Sequence, residues 1–490
     1  MTIVMSEEIK NIEPRELWSN FYELTQQPRP SKKEKNAALF VKSFGEKLGL
    51  ETTMDEAGNV IIRKPASPGY EEHKTVVLQG HIDMVPQANS GISFNFEKDA
   101  IEAFIDGDWV TARDTTLGAD NGIGVAAAMA VLQSKTLKHG PIEVLVTVDE
   151  ETGMTGAFAL EPDVMKGDIL INLDSEDENE ISVGCAGGVD VNASWEFQDD
   201  EEVVGDVAYQ IEITGLHGGH SGLDIHLGRG NACKLMGRLL KDVIGKHGAR
   251  LASIDCGNMR NAIPREGVAV VTIDNSQVDA FEQVIKDTEK VWQNELGRVE
   301  ENLKLKAQKT DMPESMIPEM IQDDVVNAVC AARNGVMRMS DAMPGVVETS
   351  TNFSIVRSAS GRIDVQCLTR SFIDTARDGI ASSLESCFEL AGAKVKTEGA
   401  YPGWKPNPNS EILTIMRDTF EGMNGKKAGE VAMHAGLECG ILGDKYPNWD
   451  MVSIGPTIKN PHSPSEKVHI DSVERFWKFL VKVLENTPAK

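Results

Sequence analysis

Three short apolar runs, each ending in acids or an imidazole, constrain this chain more than any other feature. TVVLQ at 75–79 leads through Gly80 into His81-Ile82-Asp83. PIEVLVTV at 141–148 leads into Asp149-Glu150-Glu151, and DILINL at 168–173 leads into Asp174. Apolar runs of this length, bounded by turn residues, read as buried strands. Between them GIGVAAAMAVLQ, at 122–133, is rich in small residues and reads as a buried helix. Strands alternating with helices predict an α/β domain with an at least partly parallel sheet. Open sheets of that kind bind ligands at the C-terminal ends of their strands, which is where these polar residues stand.

The texture changes after Gly187-Gly188. Amphipathic strands (VDVNASWEF, VAYQIEITG, VAVVTID) and helices (NACKLMGRLLKDVIG, DAFEQVIKDTEKVWQNEL) follow in an α+β pattern, loosely repeated over 301–395. From about 397 the chain returns to loops and helices. The expected plan is one domain of residues 1–187 and 397–490, interrupted by an inserted domain of 188–396. The insert, some 200 residues, is longer than the ~100–150 of a typical domain and has room for a doubled unit.

Charge narrows the function. Lys and Arg number 49 against 76 Asp and Glu, a formal net charge of −27. No Lys/Arg-rich run offsets it, so binding to phosphate-rich nucleic acid or to an anionic membrane is not expected. No apolar run approaches the ~20 residues of a membrane span, and the first residues lack the basic and apolar regions of a signal peptide. The seven Cys are scattered and never paired as CxxC, which argues against disulfides and thiolate metal sites. A cytoplasmic protein is expected.

Taken singly, the polar residues have ordinary readings. Asp120, before the small-residue helix, could cap it; Glu150-Glu151 could be a solvated turn; GADNGIG lacks the Lys-Ser/Thr of a phosphate loop. As a set they differ. His81, Asp120, Glu151, Asp174 and the late His462 offer five N/O ligands in one domain. Imidazole and carboxylate suit zinc. A pair of zinc ions needs one bridging carboxylate and two terminal ligands per ion, with room for a shared water.

The stretches LQGHIDMVPQ, TLGADNGIGVAAAMA, VDEETGMTGA, INLDSE, GLHGGHSGLDIH and RNAIPRE resemble the di-zinc metallopeptidases of the aminoacylase and carboxypeptidase type, and among them the dipeptidases acting on Xaa-His. The resemblance covers nearly the whole chain. It implies a catalytic α/β domain, its mixed and mostly parallel sheet flanked by helices, with an inserted α+β lid that also serves dimerisation. It implies two Zn²⁺ per subunit, with Mn²⁺ or Co²⁺ as possible substitutes. His81 and Asp174 would hold one ion, Glu151 and His462 the other, and Asp120 would bridge both across a cis Asp120-Asn121 bond. Asp83 would orient His81, and Glu150 would be the general base.

For the substrate, the resemblance assigns His220 as the donor to the developing oxyanion, with Asn261 and Arg370 as lid residues. Arg suits a free carboxylate, which a dipeptide offers. Gly436 would allow close backbone approach, and Glu438 would meet the amino terminus. The expected activity is hydrolysis of Xaa-His dipeptides such as β-Ala-His, by a homodimer whose lid closes in the cycle. The rival readings are an N-acyl-amino-acid amidohydrolase, a broader aminopeptidase, and an inactive metal-binding scaffold.

Overall fold

The computed structural model describes residues 6–198 and 201–490. The chain forms two compact units: Met1–Gly184 with Pro406–Ala432 and Leu437–Lys490, and Cys185–Lys405 with Met433–Gly436. The second unit thus runs nine residues beyond the expected 396. Its last strand, Lys394–Tyr401, pairs with Gly187–Glu196. A final bridge joins Trp404 to Cys185, so the two ends of the insert meet.

The first unit is built on an eight-stranded sheet in the order Glu51–Met54, Val60–Lys64, Ile142–Thr147, Val76–His81, Ile169–Asn172, Asp450–Ser453, Glu180–Cys185, Gly429–Met433. The middle four strands are parallel. Glu51–Met54 with Val60–Lys64, Val60–Lys64 with Ile142–Thr147, and Asp450–Ser453 with Glu180–Cys185 pair antiparallel. All residues of Val76–His81, Ile142–Thr147 and Ile169–Asn172 are buried, as expected of parallel strands covered on both faces. Helix Ala119–Gln133, buried from Asn121 to Leu132, packs on Val76–His81 and against helix Arg15–Thr25. A glycine on the strand side permits that close approach: a Cβ on Gly80 would run into the Asn121 side chain.

A separate four-stranded sheet, Ile458–Lys459, Lys467–His469, Trp109–Ala112, Ala103–Asp106, completes this unit. It carries the loop holding His462 and ties it to the chain leading toward Asp120.

The second unit is one nine-stranded sheet, antiparallel at every pairing. It is internally doubled. Val207–Thr214, Arg250–Cys256, Gly267–Ile273 and Lys304–Thr310, taken as strands 1–4, lie in the order 4-1-3-2, with helices Ala232–His247 and Val278–Leu296 in the crossovers. Gly187–Glu196, Val347–Ala359, Arg362–Ser371 and Lys394–Tyr401 follow the same plan in mirror order, 2-3-1-4, with helices Glu319–Ala331 and Asp374–Leu390. The halves join edge to edge where Asp255 and Cys256 face Arg357 and Val356. The core between helices and sheet is continuous across the join, from Ile211, Phe281 and Trp292 to Phe353, Val365 and Phe388.

Candidate metal centre and substrate-binding residues

Three parallel strands end together and deliver His81, the Glu150-Glu151 turn and Asp174 to one edge of the sheet. Asp120 arrives from the first residues of Ala119–Gln133, where its own backbone and that of Asn121 are not helical, and the peptide bond Asp120-Asn121 is cis. His462 arrives from the small sheet's loop with a left-handed backbone, φ 58°.

The side chains fall into two triads that share one carboxylate. His81 Nε2 lies 3.1 Å from Asp120 Oδ1 and 3.3 Å from Asp174 Oδ1. His462 Nε2 lies 3.1 Å from Asp120 Oδ2 and 3.0 Å from Glu151 Oε2. The ligand atoms of His81, Asp120 and Asp174 lie within 4.8 Å of one another, as do those of Asp120, Glu151 and His462. Each oxygen of Asp120 therefore faces a different imidazole.

Among the described residues, the buried Glu151 Oε1 has no hydrogen-bond partner, and Asp174 Oδ1 has none beyond the 3.3 Å approach of His81 Nε2. Burial, with the charges of Asp120 and Glu151 nearby, pushes Asp174 up to about 7 against the lowering effect of His81. Buried carboxylates crowded this closely, with an oxygen left unpartnered, call for cations. The donor set of imidazole and carboxylate, without thiolate, fits two divalent ions of the zinc type.

Asp83 holds the centre together. Its Oδ1 is 3.3 Å from His81 Nδ1, and its carboxylate accepts the N–H groups of Glu150 at 3.0 Å and Glu151 at 3.3 Å. Ser31 Oγ donates to it at 2.8 Å. Burial alone would raise Asp83, but His81 and these donors outweigh it and hold the group at about 2. Glu150 shares a cluster with His81 and Glu151. Burial, then the charges of Asp174, Glu438 and Glu151, raises it well above the ordinary carboxylate range despite His81. Glu438 is buried; its Oε2 accepts from Gln79 at 2.6 Å and Thr147 at 2.7 Å, while Oε1 has no partner.

In the second unit, His220 Nδ1 accepts the N–H groups of Gly222 at 3.1 Å and Leu223 at 2.9 Å. Its proton therefore sits on Nε2, making that atom a donor. Burial and the Arg370 charge lower its pKa and favour the neutral ring. Arg370, 5% exposed, spans the Ser221 hydroxyl at 3.4 Å and Tyr401 Oη at 2.9 Å. Among the described residues no acid forms an ion pair with it. Asn261 is exposed, and its backbone oxygen accepts from Ser221 N at 2.8 Å. Gly436 is half-buried in the loop before helix Glu438–Lys445.

A family model described as Peptidase family M20/M25/M40 matches residues 77–486. The chain belongs to this family. Cytosol non-specific dipeptidase of Escherichia coli (strain K12) is 43% identical over 483 residues, covering 99% of this chain and 100% of the relative. The crystal structure of aminoacylhistidine dipeptidase from Vibrio alginolyticus superposes with a TM-score of 0.94 at 47% identity, covering 99% of this chain and 100% of that one. Aminopeptidase PepT from Bacillus cereus shares the fold, with a TM-score of 0.57 at 16% identity and coverage of 97% and 99%.

Within this M20 peptidase, five of the residues singled out from the sequence form the two triads, and Asp83 and Glu150 adjoin them. Sequence reasoning missed others. Ser221 stood inside GLHGGHSGLDIH without a role of its own, and Tyr401 at Arg370 had no motif to mark it. His434, whose Nε2 lies 2.7 Å from Ser350 Oγ, opens the HAGLECG stretch but was given no role. Arg29 and Glu466 were also missed; Glu466, four residues after His462, carried a spacing that could have been read.

Proposed function

We propose that this M20 peptidase is a metal-dependent dipeptidase that hydrolyses Xaa-His and related dipeptides with a free carboxylate. One observation carries the reading: Asp120 presents one oxygen to each of two imidazole–carboxylate triads. The two relatives above 40% identity, matched over their whole lengths, are named as dipeptidases.

Two divalent ions held by His81, Asp174, Asp120, Glu151 and His462 would supply an acidified water and a polarised scissile carbonyl. Zinc is the ion proposed, with Mn²⁺ or Co²⁺ compatible with the same ligands. Glu150 takes the proton released at the attacking water and returns it to the leaving amine. Asp83 keeps His81 and the Glu150-Glu151 backbone in place for this. His220 Nε2–H offers a hydrogen bond to the negative oxygen that develops on the carbonyl. Arg370, a buried cation with no acidic ion-pair partner among the described residues, takes the substrate carboxylate, and Glu438 the amino terminus. Asn261 and Gly436 are proposed to line the bound dipeptide. The protein is proposed to work in the cytosol as a homodimer.

The purified protein with Zn²⁺ is given β-Ala-His, Gly-His, an N-acetyl amino acid and a tripeptide. Cleavage of the two dipeptides above the others is expected. Cleavage of the acetylated substrate alone would replace this reading with an amidohydrolase. Preference for the tripeptide would make it an aminopeptidase, and cleavage of none would make it a scaffold.

A further inference from the structure

Arg29 and Glu466 have no part in the chemistry above, yet each is only 1% exposed, against the turn that carries Asp120. Glu466 Oε2 accepts the N–H groups of Leu117 at 2.8 Å and Gly118 at 2.9 Å. Its Oε1 accepts those of Ala119 at 2.7 Å and Asp120 at 3.2 Å. Four successive backbone donors thus converge on one carboxylate from the His462 loop.

Arg29 grips the same turn by its carbonyl. Its Nη2 donates to Gly118 O at 2.6 Å, and its Nη1 to Ile82 O at 2.9 Å and Asp83 O at 3.3 Å. The packing leaves no room for slack. Gly118 has φ 72°, and a Cβ on either Gly118 or Gly122 would collide with Arg29 Nη2.

Among the described residues, the carboxylate of Asp120 itself hydrogen-bonds only to His81 and His462. With those imidazoles committed to ions, the backbone turn is what sets in advance where its two oxygens lie. We propose that Arg29 and Glu466 are positioning residues for a two-cation centre, fixing Asp120 through its backbone so that each oxygen serves a different ion. The proposal rests on the metal-centre reading given above. It adds a specific consequence. Asp120 is common to both triads, so loosening its turn weakens both ions together.

Metal-free wild-type, Glu466→Gln and Arg29→Lys proteins are titrated with Zn²⁺ against a chromophoric chelator, and their thermal unfolding is recorded. Wild type takes up two ions. In Glu466→Gln the amide NH₂ can no longer accept from the backbone, and both binding constants fall 10–100-fold, the scale usual for partners behind a metal ligand. Arg29→Lys keeps the charge but loses the planar fork, and both constants fall by less. A merely structural role would lower the melting temperature and leave both constants unchanged; that result, or a fall in one constant alone, overturns the proposal. If Glu466→Gln does not melt cooperatively, Arg29→Lys decides by the same criterion. A wild-type protein that takes up no zinc overturns the underlying metal reading instead.

Discussion

Glu150 opens a four-residue helix, Glu150–Gly153, entered through Asp149 at φ 54° and left through Met154 at φ 50°. The geometry turns two adjacent acids to separate tasks: Glu151 to the His462 triad, and Glu150 to the space beside His81. Glu150→Ala is expected to retain its zinc, measured by elemental analysis, while turnover of Gly-His falls by at least ~10²–10⁴-fold, the usual share of general acid–base catalysis. Unchanged turnover would remove Glu150 from the base role. A second residue-scale prediction concerns acid. Burial, then the charge of Arg370, pushes His434 down to about 3. An unfolded chain protonates this ring near pH ~6.5. The stability of the neutral folded ring is therefore full above that pH and is lost as the pH falls toward 3. The slope is at most one proton, about 1.4 kcal/mol per pH unit. Urea unfolding between pH 6.5 and 5 should show His434→Gln losing less stability than wild type; parallel curves would clear His434 of this role. At this scale His81, Asp120, Glu151 and Asp174 were legible because each stood at a strand end or a Gly-rich turn, and His462 through the family resemblance. Arg29 was not, because an Arg between two prolines looks like any surface loop until its three carbonyl partners are known.

The helix Ala119–Gln133 shows how small residues become a requirement of an element. A Cβ on Gly124 would meet the backbone carbonyl of Leu173 and the Asn121 side chain. Gly124→Ala therefore overpacks the junction behind Asp120 and should cost about 1–3 kcal/mol in chemical denaturation. Gly245, in the exposed face of helix Ala232–His247, has nothing within 4 Å of its would-be Cβ. There Gly245→Ala should stabilise by about 0.5–1 kcal/mol, through helix propensity alone. Similar effects at both sites would contradict this account. The parallel strands were legible from their unbroken apolar runs. The four-stranded sheet that carries His462 was not: two of its strands, Ile458–Lys459 and Lys467–His469, are two and three residues long. Strands that short leave no periodicity, and only pairing with Trp109–Ala112 defines them.

At the scale of the whole molecule, the sequence indicated an interrupted α/β domain and an α+β insert with room for doubling. The doubling itself was hidden because the two halves share a plan and no visible motif. Their strand 1 sequences, VAYQIEIT and GGVDVNASWE, have little in common beyond alternation. One half is also nested inside the other. Gly187–Glu196 is the first strand of the second half, yet its two sheet neighbours are Arg362–Ser371 and Lys394–Tyr401, on the far side of the first half in sequence. The nesting has a consequence in time. A ribosome adding ~5–20 residues per second needs roughly 10–40 s to make the about 200 residues that separate Glu196 from Tyr401. In that interval the first half can close on its own strands, while Gly187–Glu196 waits with both edges unpaired until Arg362–Ser371 is made and with one edge open until Lys394–Tyr401 follows. A waiting strand of this kind is open to the wrong partner. Slow or stalled synthesis of residues 197–401 is therefore the period in which this chain is most exposed to aggregation.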